Sequence, residues 1–160
     1  WQSFYGSIKE RINMKKVVFK SIQELGEYVA ALVCVGKADN DFSDVERLFI
    51  EGVVTLYGAE LPCVNAKKII AEAIGRHLED IGSVFKHEPV KSRMLIRDLI
   101  ILGHVDGKYT DDERCVVHKL AESLNIPQDE FERLQMAVIQ QAEAESVIDQ
   151  IINAAESLEV

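Results

Sequence analysis

The sequence predicts an all-α fold, a helical bundle carrying an internal repeat. Three observations predict it. Apolar residues recur at intervals of three and four along most of the chain, while strand-like alternation is nearly absent. The 160 residues include only 3 prolines and 9 glycines, so long stretches run without a breaker. Two very apolar segments are each followed by the same short acidic turn and an amphipathic segment, 67 residues apart.

The elements follow in order. Ser3–Ile12 reads as a short amphipathic helix. Residues Lys15–Gly36 form the first apolar helix, with Val18, Ile22, Leu25, Val29, Leu32, Val33 and Val35; its second half is apolar all round and belongs in the core. A turn at Lys37–Phe42 leads to a helix over Ser43–Tyr57, with Val45, Leu48, Phe49, Val53 and Leu56 facing inward and Gly58 as its stop. Pro62 and Asn65 open a helix over Ala66–Val84, whose buried side includes His77. After a turn at Lys86–Pro89, Val90–Gly103 repeats the apolar pattern. A turn at His104–Tyr109 opens the helix Thr110–Leu124, which Asn125–Pro127 ends. Pro127 suits the first position of a further helix. Gln128–Glu156 is one long helix or two, with an extra amphipathic segment over 140–158 built on Ala144, Val147, Ile148, Ile151, Ile152 and Ala155.

Composition narrows the function. With 18 Lys+Arg against 27 Asp+Glu, the net charge is −9, and the pI is near 4.9. Nucleic-acid binding needs a basic stripe, so it is not expected. Nor is docking on anionic lipid by charge alone. No apolar run is long enough to insert in a membrane, and the first 20 residues lack the apolar core of a signal peptide. At 48% hydrophobic residues the chain has enough apolar material for one domain spanning 1–160, without help from a disulfide or metal. Cys34, Cys63 and Cys115 are odd in number and widely spaced; Cys34 and Cys115 fall in apolar patterns like free core thiols. A reducing, cytoplasmic location fits them.

The repeat carries the information. Ala38-Asp39-Asn40-Asp41-Phe42-Ser43-Asp44-Val45-Glu46-Arg47 aligns without gaps to Val105-Asp106-Gly107-Lys108-Tyr109-Thr110-Asp111-Asp112-Glu113-Arg114. Ser43 and Thr110 are placed as helix caps, with Glu46 and Glu113 three residues later completing a capping box. Asn40 and Gly107 stand where the turn calls for a left-handed residue. Phe42 and Tyr109 are placed to drop a ring onto the core.

Two readings of the acidic residues stay open. The spacing from Asp39 to Glu46, and from Asp106 to Glu113, matches the second half of an EF-hand loop. The first half is missing, since Val35 and Lys37, or Leu102 and His104, replace its carboxylates. One turn alone offers too few oxygens. If a pseudo-twofold axis brings the turns together, Asp39, Glu46, Asp106 and Glu113, with Asp41 and Asp111 nearby, would suit a hard cation such as Ca²⁺ or Mg²⁺. The competing reading is an ion-pair lock without metal, in which Arg114 forks onto Asp39 and Arg47 onto Asp106.

These residues resemble the TerB tellurite-resistance family. Its mark is an apolar helix ending in Ala/Ser-Asp-Gly, then an apolar residue, Ser or Asp, two positions, and Glu-Lys, occurring twice. The second copy continues as Leu120-Ala121-Glu122-Ser123-Leu124-Asn125-Ile126-Pro127-Gln128-Asp129-Glu130-Phe131, similar to the family's Leu-Asp-x-Pro-x-Glu-Phe ending, and the likeness runs over roughly residues 3–131. Asn40 replaces the family's glycine, and Arg47 and Arg114 replace its lysines. The resemblance implies an all-helical bundle of about seven helices with pseudo-twofold symmetry. It also implies a cytoplasmic, acidic, bacterial stress-response module linked to tellurite resistance, which binds metal ions through these turns.

Other constellations are weaker. Cys115 and His118 lie three apart on one helix with His104 just upstream, a spacing that could contribute zinc ligands, but Cys115 falls in an apolar pattern and reads as a buried core thiol. His77 reads as a core histidine and His87 as a surface turn residue. Lys15-Lys16 and Lys67-Lys68 read as solvated faces. No nucleophile signature and no phosphate loop is present, and acidic turns would repel the tellurite anion. The expectation is therefore a non-enzymatic module that binds a divalent cation or a protein partner at the two turns. The alternative is a helical interaction domain with self-paired turns, forming a homodimer or docking a partner through a surface such as the C-terminal helix.

Overall fold

The computed structural model describes residues 18–81 and 83–156. Among them are six α-helices and two short 3-10 turns, with no strand. The helices are α1 (Ile22–Gly36), α2 (Asp44–Tyr57), α3 (Ala66–Ala73), α4 (Pro89–His104), α5 (Asp111–Ser123) and α6 (Gln128–Glu156). The expected helix Ser3–Ile12 lies outside the described residues.

The two most apolar helices, α1 and α4, pack against each other at the centre. From Val29 to Val33 every residue of α1 is buried, and so is every residue of α4 from Asp98 to Gly103. Such all-round burial is what a helix apolar on every face demands. Helices α2 and α3 cover α1, while α5 and α6 cover α4. The repeat is thereby visible in space: α1–α2 and α4–α5 are the same helix pair at an offset of 67 residues.

The start of α1 differs from expectation. Helix begins at Ile22, because Ser21 is an N-cap: its hydroxyl accepts from the Glu24 amide at 3.1 Å, and Glu24 Oε2 accepts from the Lys20 amide at 2.5 Å. The cap has the three-residue Ser–Glu spacing of the acidic turns, but Glu24 returns to the amide one residue before the cap, so it is not a full capping box.

The core is not wholly apolar. Glu24 Oε1 and Lys91 Nζ pair at 2.5 Å, both buried. Asp98, with no exposed surface, accepts from Tyr28 at 2.7 Å and Tyr57 at 2.8 Å through Oδ2, and from Arg97 Nε at 2.8 Å through Oδ1. Arg97 also donates to the Tyr57 hydroxyl at 2.8 Å. Burial and the neighbouring Asp98 carboxylate push the Tyr28 and Tyr57 phenols well above their ordinary range. The rings of Phe19, Tyr28, Tyr57 and Phe85 surround this network in edge and stacked contacts. Every charge there has a partner, which is the condition for burying it.

Several expectations are corrected. The helix expected over Ala66–Val84 stops at Ala73 and gives way to 3-10 turns at Leu78–Asp80 and Ser83–Phe85. Gly75 has poor helix propensity, and Arg76 is drawn aside into a two-bond fork with Glu27 at 2.9 and 3.1 Å. His77, past the helix end, is exposed rather than in the core. On α2 the buried face is Phe49, Ile50, Val53 and Val54, while Val45 and Leu48 are exposed. Cys115 is exposed rather than in the core, while Cys34 is half-buried and packs against the core. Burial pushes the Cys34 thiol up. Pro127 precedes α6 by one position, its carbonyl accepting from Phe131 at 2.9 Å. α6 runs without a break through Gln140–Glu145, so the extra segment from 140 is its second half.

Candidate functional site

Each acidic turn is built in the same way. Asn40 and Gly107 take the left-handed conformation, with φ of 65° and 82°. Asp39 Oδ1 accepts from the Asp41 amide at 3.0 Å, and Asp106 Oδ1 from the Lys108 amide at 2.9 Å. These side-chain bonds two residues ahead replace the backbone bonds the ended helix no longer supplies.

The rings then fold back onto the helix just left. A Cβ on Gly36 would lie 2.9 Å from the Phe42 ring, and one on Gly103 only 2.3 Å from the Tyr109 ring. Only glycine admits such an approach. The signal was present in the sequence, since both copies place the aromatic six residues after a glycine.

Both helix starts close with full capping boxes. The Ser43 and Thr110 side-chain oxygens each accept from the glutamate amide at 3.2 Å. Glu46 and Glu113 return through Oε2, accepting from the cap amide at 2.7 Å and the cap hydroxyl at 2.8 Å in both copies. All the hydrogen bonds described for these two carboxylates use Oε2, leaving Oε1 for another donor or a cation.

The arginines do not form the expected cross-lock. Among the described ion pairs, neither Asp39–Arg114 nor Asp106–Arg47 occurs. Instead Arg47 stands over the Phe42 ring and Arg114 over the Tyr109 ring, each 5.2 Å from the centroid. Arg114 also reaches Asp111 at 3.4 Å within its own helix. A ring five residues upstream captures each guanidinium by cation–π attraction.

The two turns lie side by side. Lys108 Nζ is 4.0 Å from Asp41 Oδ2 across them. That exposed pair adds little stability; its value here is to fix the neighbourhood. Glu46 and Glu113 are only 2% and 3% exposed. Burial pushes both carboxyls up, and the cap bonds from Ser43 and Thr110 pull them down. Charges of the paired turns push them up further, Glu113 and Asp106 acting on Glu46, and Asp39 and Asp106 on Glu113. Asp39 and Asp106 are half-buried, whereas Asp41 and Asp111 are exposed. Among the described residues, no group of three or more His, Cys, Asp or Glu side chains is positioned as a metal ligand set.

Tyr109 differs from its counterpart Phe42 by a hydroxyl. That hydroxyl is the one buried side-chain polar atom without a hydrogen-bond partner among the described residues. Burial pushes the phenol up to about 12, with Glu113 adding to the rise and Arg114 opposing it. The His104 ring lies 4.5 Å away, its Nδ1 bonded to the Ile100 carbonyl at 2.8 Å. His118 is engaged by Gln128 at 2.8 Å, so it does not join Cys115 and His104 as a zinc set. No helix among the described residues is long and apolar enough to cross a membrane.

Comparison with known proteins agrees with this architecture. Neither a search of curated proteins nor one of solved structures returned a match. The family model described as tellurite resistance protein TerB matches residues 27–136. That span runs from the second turn of α1, through both acidic turns, into α6. With the twinned helix pairs and their duplicated turns inside the matched span, the chain belongs to the TerB family.

Proposed function

We propose that this chain is a non-enzymatic module whose two acidic turns form one recognition face for a hard divalent cation, Ca²⁺ or Mg²⁺. The observation that carries the reading is the mutual placement of the carboxylates. Glu46 and Glu113 are buried at the starts of α2 and α5, where charge from the paired turns raises them further. Each keeps Oε1 clear of the cap bonds, while Arg47 and Arg114 lean on rings, with Arg114 also on Asp111, rather than on the two glutamates. A divalent cation relieves that repulsion, with oxygen ligands of the type such ions prefer. The described residues hold no preformed ligand set, so on this reading cation binding draws Asp39 and Asp106 toward the two glutamates. The setting is tellurite resistance, the role the family description names.

The second reading is a helical interaction module with self-sufficient turns, and the complete capping boxes favour it. Thermal unfolding separates the two. Binding only to the folded state stabilises it by about 2.7 kcal/mol at a hundredfold excess over Kd. The cation reading expects millimolar Ca²⁺ or Mg²⁺ to raise Tm, and Glu46→Gln/Glu113→Gln to abolish the rise while keeping most of the cap. No rise with Ca²⁺, Mg²⁺, Mn²⁺ or Zn²⁺ leaves the interaction reading. A rise that survives the double substitution places the cation elsewhere.

A further inference from the structure

Helix α6 is packed along its first turns and bare along the rest. Phe131, Leu134 and Val138 seat it on the bundle, and beyond Val138 no described residue is buried. The bare part is not polar. Val147, Ile148, Ile151 and Ile152 are 52, 54, 65 and 52% exposed. Their spacings of one, three and four residues, continued back to Ala144, place them on one stripe. Helices in proteins draw most of their stability from packing an amphipathic face, which this stretch lacks, and a contiguous apolar stripe rimmed by polar residues marks an interaction site. The stretch also lies beyond residue 136, where the family match ends, so the fold common to the family does not account for it.

Charge selects the occupant. From Leu134 to Val160 the chain has no Lys or Arg, but it carries Glu143, Glu145, Asp149, Glu156 and Glu159. Helical spacing sets Glu145 and Asp149 four apart along the edge of the stripe beside Ile152. A second copy laid antiparallel would bring the same acidic edge against itself, and like charges in register are what coiled coils avoid. An anionic membrane surface would repel it as well. We propose that the stripe from Ala144 to Ile152 docks a basic, amphipathic helix of a partner protein, its apolar face on Val147, Ile148, Ile151 and Ile152, and its Lys or Arg edge on Glu145 and Asp149.

The test uses the full chain and two fluorescent synthetic helices, one of Leu and Lys at amphipathic spacing and the same design with Glu in place of Lys. Anisotropy is expected to show saturable binding of the Leu/Lys helix only. Ile148→Ser/Ile151→Ser should weaken it by about tenfold or more. Glu145→Gln/Asp149→Asn should weaken it severalfold and flatten its salt dependence. These side chains are exposed, so the bundle stays folded, which far-UV circular dichroism checks. Binding that ignores the Ile148→Ser/Ile151→Ser change overturns the proposal. So does light scattering that shows a dimer dissociated by that change, which would give the stripe to a second copy. Uptake by anionic vesicles that depends on the same two isoleucines would give it to a lipid surface.

Discussion

Glu24 and Lys91 occupy equivalent positions in the two halves of the repeat, 67 residues apart, and meet as a buried ion pair at 2.5 Å. The pair therefore spans the junction of α1 and α4 with opposite charges at one duplicated site. Lys91 Nζ also stands 5.5 Å from the centre of the Phe19 ring. Removing one partner strands the other in the core. Lys91→Ala is expected to cost about 3–5 kcal/mol, while Glu24→Gln/Lys91→Met should recover a good part of that loss. Urea unfolding of the three proteins checks it; a double variant no more stable than Lys91→Ala would contradict the account.

The two capping boxes have matching hydrogen-bond distances. Ser43→Ala and Thr110→Ala should therefore each destabilise by about 1 kcal/mol, with the two effects nearly equal. Thr110→Ser should be close to neutral. Unequal losses would mean that the symmetry of the turns is not matched in their energetics.

The glycine seats predict an order. Tyr109 sits closer over Gly103 than Phe42 does over Gly36. Gly103→Ala is expected to cost about 1–3 kcal/mol through displacement of the ring, and Gly36→Ala less. Urea midpoints falling in the reverse order would contradict the geometry.

The buried glutamates predict a pH dependence of stability in chelator. Glu46 and Glu113 have folded pKa values above the unfolded one, so the folded state holds their protons more tightly. The stabilisation is fully present below the unfolded value, near 4.3 for Glu, and is lost as pH rises through the folded value. Glu88 and Glu130, paired with Lys20 and Arg93, are lowered and act in the opposite direction. Comparison with Glu46→Gln/Glu113→Gln isolates the first effect. The parent should lose stability relative to the variant over the pH range just above 4.3; parallel curves would refute it.

What the sequence made legible was mostly local. Ser43 with Glu46 and Thr110 with Glu113 act over three residues, so their chemistry can be read without the fold. The duplication placed α1–α2 and α4–α5 for the same reason, because equal strings fold into equal pieces. Misreadings arose where distant groups decide. Arg76 leaves its helix for Glu27, which α1 supplies. On α2 apolar residues occupy more than one face, and only the position of α1 selects Ile50 and Val54 over Val45 and Leu48. The arginine cross-lock failed because a nearer ring competes for each guanidinium. The Glu24–Lys91 pair left a trace, opposite charges at matching positions of two apolar helices, that only the offset of the repeat makes readable.

Each bend is pinned at both ends, upstream where the ring seats on Gly36 or Gly103 and downstream where the cap closes on Glu46 or Glu113. Inserting a single residue between the pins would unseat the ring or open the cap. The bends therefore cannot change their length. They act as two rulers of equal span, and whatever rests across them meets the same spacing from either side.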